Sequence, residues 1–227
     1  MAFSSHNDIG ALSIFPAEIV LNIFTYLDYF DVKCCLMVSK TFETYCRHGS
    51  LDKVMFRNVV PLVAGTRFRP KTVKIHPCLT NMAYECSTNI NHAWIVPSRG
   101  KHGGLRHFDH AMYPLVRSSA IDEYATMPAM KAIKIKIYED SQKGLKVNNE
   151  MGVTVRNMLE ALVAYFSVEI PGVMLYNVCP GLAGTDIDNC PATRSDMMGA
   201  HTGWSGFHRR SVDKHGVLML VIDGFLS

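Results

Sequence analysis

The sequence predicts an α+β protein in two parts, a short helical module followed by a mixed helix and sheet domain. Three observations carry that expectation. Near the start, Ile19, Ile23 and Leu27 recur at i, i+4 and i+8. Further on, Ile133, Ile135 and Ile137 alternate with Lys134 and Lys136, and soon afterwards Val155, Met158, Leu159, Leu162, Val163 and Phe166 follow the 3.6-residue period. A chain of 227 residues has room for a small module plus a medium domain.

The helical module is expected over residues 10–50. Pro16 suits a first-turn position, where its missing N–H costs nothing, and Glu18 favours the positive end of the helix dipole. Asp31 is a good N-cap for a second short helix through Val32, Cys35 and Leu36, and Ser39 for a third through Phe42 and Tyr45. Three short helices make a small core that leaves apolar surface for a partner to cover.

Residues 51–91 read as a connector of uncertain structure. Within it Leu51–Phe56 fits a helix, Val59–Ala64 an apolar strand and Thr72–Ile75 an alternating one. The α+β domain is expected over residues 92–227. There Ile133–Ile137 predicts a strand with Lys134 and Lys136 on its wet face, and Leu145–Val147 a return strand closing a hairpin. Thr154 caps the helix that packs on this hairpin. Pro171 and Gly172 stop the helix, Cys179–Gly206 is rich in loop-forming residues, and Val217–Ile222 has the length and apolarity of a central strand.

Composition excludes several classes. With 48% apolar, 10% aromatic and 19% charged residues, the chain is globular rather than disordered. Its 23 Lys and Arg against 20 Asp and Glu give a net charge of +3, spread without runs, so neither nucleic acid nor an anionic membrane is an expected partner. No apolar run approaches a membrane span, and the first ten residues lack the pattern of a signal peptide. Seven Cys without regular spacing, two of them adjacent at Cys34 and Cys35, fit a reducing compartment, the cytoplasm or nucleus.

The residues Phe15-Pro-Ala-Glu-Ile19, Ile23-Phe24, Tyr26-Leu27-Asp28, Asp31-Val32 and Val38-Ser-Lys-Thr-Phe42 stand in the order and spacing of a known motif. The stretch resembles the F-box, with Phe15 where the family has leucine, Lys40 for its arginine and Phe42 for its tryptophan. The resemblance implies docking on the SKP-family linker of an SCF-type ubiquitin ligase and, through it, on a cullin. Phe15, Pro16, Ile19, Ile23, Leu27, Val38 and Phe42 would make the contact. A proline-started helix with an apolar stripe is also, on physical grounds alone, suited to lie in a groove. The C-terminal region, with Ala125-Thr-Met-Pro128, the Ile133–Ile137 strand and Gly152-Val-Thr-Val155, is similar to an uncharacterised domain family of basidiomycete fungi, which implies no chemistry.

Other constellations are weaker. His107-Phe-Asp-His110 lacks a partner pair at zinc-ligand spacing, so loop histidines are the expectation, with no metal and no cofactor. Gly203-Trp-Ser-Gly206 falls one residue short of a nucleophile elbow and is expected to be a turn. Arg99-Gly-Lys-His-Gly-Gly104 lacks the order of a phosphate-binding loop. His208-Arg-Arg210 with Lys214-His215 reads as a solvated basic face. Asp109, Asp122, Glu123 and Asp213 can do acid–base work only if the fold brings histidines to them. The expectation is therefore an adaptor without catalysis, its second domain binding a protein substrate of unknown identity. The alternatives are an F-box protein acting outside a cullin complex and, from another class, a small fungal hydrolase whose N-terminus matches the motif by chance.

Overall fold

A computed structural model of the protein describes residues 15–62, 66–85, 89–95, 113–137, 144–170, 192–195, 203–222 and 225–226. The chain divides into two compact units, Met1–Asn58 and Val59–Ser227, with the fold class α+β. The dividing point differs from the expected one. Residues 51–58 belong to the first unit, and 59–91, expected as a connector, supplies strands to the second.

The first unit holds helices α1 (Ala17–Thr25), α2 (Tyr29–Cys35) and α3 (Lys40–Cys46). Pro16 sits one position earlier than expected, as the N-cap of α1. There its carbonyl accepts the N–H groups of Ile19 and Val20 at 3.0 and 3.3 Å, and its own missing N–H still costs nothing. The cap of α2 is Asp28 rather than Asp31. The Asp28 carboxylate accepts the Asp31 N–H at 2.9 Å, which leaves Asp31 in the first turn where its charge meets the helix dipole. Ser39 caps α3 as expected, its hydroxyl accepting the Phe42 N–H at 3.3 Å.

Val20, Phe24, Tyr29, Val32, Cys46, Leu51, Met55 and Phe56 form the core of this unit. The Phe24 ring lies 5.5 Å from that of Phe42 and meets Tyr45 edge-on at 6.4 Å, arrangements that aromatic quadrupoles favour. Burial pushes the Cys46 thiol up to about 11, so this sulfur behaves as an apolar group. Leu51–Phe56 is not the expected helix: a single 3-10 turn at Gly49–Leu51 gives way to turns that end with Phe56 at φ 53° and Asn58 at φ 50°. A left-handed residue other than Gly costs about 1–2 kcal/mol. Here the Phe56 ring is buried edge-on against Tyr29, and Arg57 binds both the Asp52 carboxylate, at 2.9 Å, and the Cys46 carbonyl.

The described residues of the second unit form four sheets. A two-stranded ribbon joins β1 (Lys74–Ile75) to β5 (Thr126–Met127). Between them in sequence come a short helix α4 (Pro77–Thr80) and strands β2 (Met82–Glu85), β3 (Ala93–Ile95) and β4 (Tyr113–Pro114). The principal sheet begins with β6 (Ala132–Lys136) and β7 (Leu145–Asn148), the hairpin read from the sequence, followed by helix α5 (Val155–Phe166). After β8 (Glu169–Ile170) and β9 (Ala192–Thr193), which pair with each other, the chain forms β10 (Gly203–Ser205), β11 (Phe207–Val212), β12 (Leu218–Ile222) and β13 (Phe225–Leu226). The order in the principal sheet is β11-β12-β6-β7, with β12 parallel to β6 so that Leu218 stands opposite Ile133. Val217–Ile222 is thus the central strand its composition predicts. A five-stranded sheet in the order β13-β10-β2-β3-β4 draws on both ends of the unit.

Ile133, Ile135, Ile137, Leu159, Leu162 and Phe166 are all buried, as the two periodicities require. Thr154 and Asn157 form a reciprocal capping box at the start of α5. Lys134 and Lys136 are half-buried rather than wet, because β12 lies beside them and Lys134 Nζ reaches the Asp213 carboxylate at 3.5 Å. That carboxyl accepts the N–H groups of Val217 and His215, the larger effect coming from Val217, and is held below its ordinary range. Thr72–Ile75 contributes only the two residues of β1, and of Val59–Ala64 only an isolated bridge from Leu62 to Met130 is formed in the described residues. Gly203-Trp-Ser205 is strand β10 rather than a turn. Gly206 follows at φ 62°, where a side chain would collide with the Thr80 carbonyl.

Two outcomes follow from this packing. Ile135→Ala is expected to cost about 2–5 kcal/mol in urea denaturation, Thr154→Ala about 1 kcal/mol and Lys136→Ala within about 0.5 kcal/mol. A fragment of residues 59–227 is expected to unfold cooperatively in circular dichroism. One of residues 92–227 lacks β1 and β2 and is expected not to.

Candidate functional site

Helix α1 has apolar residues on two sides. Val20 and Phe24 point into the core of the first unit. Phe15, Ile19, Ile23 and Tyr26, spaced i, i+4, i+8 and i+11, form a second stripe left open at 49%, 46%, 45% and 82% exposure. Between α2 and α3 a further apolar pair, Met37 and Val38, is 78% and 65% exposed. Pro16 is exposed beside Phe15. Isolated exposed apolar side chains are common, whereas an aligned row of them marks a candidate surface for a partner.

The structure sorts the residues singled out from sequence into two groups. Phe15, Pro16, Ile19, Ile23 and Val38 are exposed, whereas Leu27 and Phe42 are half-buried. Leu27 falls at the end of α1, where the helix turn closes with its N–H donating to the Phe24 carbonyl at 3.2 Å. Phe42 leans on Phe24. Tyr26 and Met37 belong to the exposed apolar set and were missed. Tyr26 lies three residues after Ile23, so its helical spacing was visible, while Met37 stands in a turn that has no periodicity to mark it.

The second unit contains one buried polar pair, His76 and Glu123, among its described residues. His76 Nε2 lies 3.1 Å from Glu123 Oε2, and the Cys78 N–H donates to His76 Nδ1 at 3.1 Å. Since Nδ1 accepts, the ring proton resides on Nε2 and is donated to the carboxylate. Glu123 is one of the four carboxylates considered for pairing with a histidine, and among the described residues it is the one paired with an imidazole, that of His76. Backbone bonds fix both residues: the His76 N–H donates to the Ala125 carbonyl and the Val155 N–H to the Glu123 carbonyl, each at 2.9 Å. His76 is fully buried and Glu123 is 9% exposed, and the pair joins the end of β1 to the start of α5. Asp122 and Asp213 bind Arg156 and Lys134 rather than histidines.

The remaining motifs lie elsewhere. His107–His110 with Asp109, and Arg99–Gly104, fall outside the described residues. Arg210, Lys214 and His215 are exposed on β11 and the turn that follows it. Among the described residues no group of three His, Cys, Asp or Glu side chains is arranged to hold a metal ion, and no helix is long and apolar enough to cross a membrane.

No curated protein and no solved structure matches this chain. A family model does match its first unit, over the segment that forms α1, α2, α3 and the turn behind them, and carries nothing about residues 54–227. Residues 12–53 match the F-box domain, and the chain therefore carries an F-box domain in its first unit.

Proposed function

We propose that the protein is a substrate adaptor of an SCF-type ubiquitin ligase. The F-box domain supports an adaptor role. The observation that carries the finer reading is the exposed stripe of Phe15, Ile19, Ile23 and Tyr26 on α1, flanked by Pro16 and by Met37 and Val38. In this reading the stripe lies in an apolar groove of a SKP-family linker, which connects it to a cullin, with Leu27 and Phe42 contributing from partly covered positions. Full burial of one Ile or Leu side chain is worth roughly 1.5–3 kcal/mol, so a few such anchors outweigh the cost of association. The second unit then presents a protein substrate, and bond chemistry is left to partner enzymes. Such a role places the chain in the cytoplasm or nucleus. An F-box protein that binds the linker without a cullin is the second reading. It differs in the company the linker keeps rather than in the stripe.

Ile19 and Ile23 are about half exposed, so aspartate is tolerated there in the free protein. The double variant Ile19→Asp with Ile23→Asp is expected to lose more than about 2 kcal/mol of linker affinity in calorimetry, with an unchanged thermal transition. Val20→Asp places a charge in the core and is expected to unfold the first unit. Linker capture at wild-type strength by the folded double variant would overturn the docking face. Affinity purification of the tagged chain separates the two readings, since linker with cullin supports the first and linker alone the second.

A further inference from the structure

The open edge of the principal sheet carries a second inference. Strand β7 is the last in the order β11-β12-β6-β7. Its register pairs Ile133 with Val147 and Lys134 with Lys146, and just beyond it the Asn149 N–H donates to the Lys131 carbonyl at 2.9 Å. In an antiparallel ladder, backbone groups alternate between inward and outward. Leu145 and Val147 therefore turn theirs toward β6, and Lys146 and Asn148 turn theirs outward. Both residues are exposed, and among the described residues nothing bonds to their N–H and carbonyl groups. This is a free template for one more strand.

The side chains beside that template select what can use it. Lys146 stands opposite Lys134 in a pair without mutual hydrogen bonds, the arrangement in which side chains approach most closely and like charges repel. Lys136, two residues along β6, projects from the same face. Of the acids described near these positions, Asp213 engages Lys134, and Glu150 in the turn after β7 engages Lys131 at 3.1 Å. Lys146 stays exposed. A second copy of β7 added to this edge would set lysine near lysine, so self-pairing is disfavoured. A strand with acidic side chains at alternate positions would instead relieve the repulsion while satisfying the outward backbone groups. Its other side chains would continue the face of Val147, which is buried beside α5.

We infer that the β7 edge binds an extended acidic segment of a partner protein, which adds to the principal sheet as a further strand. The inference rests on the adaptor reading in one respect, because it names the kind of segment by which a substrate would be held.

The test uses the full chain and a fluorescein-labelled decapeptide of alternating Val and Glu, followed by anisotropy. Lys146→Glu reverses the edge charge. Asn148→Pro removes an outward N–H that the ladder does not use, which edge strands tolerate. The wild-type chain is expected to bind the peptide, each variant to weaken it by about tenfold, and a Val and Lys decapeptide not to bind. In hydrogen exchange the peptide is expected to slow the Lys146 and Asn148 amides about tenfold and to leave the Leu145 and Val147 amides unchanged. That readout needs no variant and stands even where Asn148→Pro fails to fold. Absence of binding would overturn the inference, as would Lys146 and Asn148 amides already protected in the free chain. Equal competition by a single-stranded oligonucleotide, with no change in these amides, would also overturn it and mark a general polyanion surface. Linker capture on the same samples keeps the readings apart. Capture without peptide binding removes only the edge site, and peptide binding without capture removes only the docking face.

Discussion

Helix α1 cannot bury both of its apolar stripes. A nine-residue helix in a unit of under sixty residues has one core to face, and Val20 and Phe24 occupy that side. The aromatic contacts of Phe24 with Phe42 and Tyr45 settle the orientation, since rotating α1 to hide Ile19 and Ile23 would pull Phe24 out from between them. The outer stripe is therefore a by-product of a well-packed inner one. Substitutions on the inner side therefore bear on stability, whereas those on the outer side leave the core untouched.

The second unit is organised differently. Its principal sheet depends on β6, which has β7 on one side and the distant β12 on the other. The antiparallel pairing with β7 is local, closed by a short connection, whereas in the parallel pairing with β12 nearly half of the unit passes between the two strands. Ile133 and Ile135 take part in both pairings, so the same two buried side chains serve the hairpin and the long-range contact. The lysines of β6 fall on the other face and are partly covered there.

What was legible in the sequence was what repeats or what matches a motif. The β6 alternation, the α5 period and its Thr154 cap, and the apolarity of β12 each occupy five or more consecutive residues or a defined position, and each appears where expected. The segment 51–91 failed for a physical reason. Its strands are two to four residues long, and their partners are remote, Lys74 with Met127 and Tyr84 with Trp204. No period can show in two residues, and pairing across that distance leaves no local trace. The α2 cap failed differently, because Asp28 and Asp31 are chemically identical candidates and only geometry chooses between them. Of the seven residues taken from the motif, Phe15, Pro16, Ile19, Ile23 and Val38 are exposed and Leu27 and Phe42 are half-buried, a difference in burial that a sequence pattern does not show.

The bond between His76 and Glu123 joins residues 47 apart in sequence. Seen as a clasp, it closes a stretch of chain that meets α5 again at its far end, where Asp122 binds Arg156. The entropy of closing a loop rises only with the logarithm of its length, by about 0.6 kcal/mol for each doubling. Insertions between the elements of the enclosed stretch therefore cost little, provided the histidine, the carboxylate and their backbone anchors stay in place.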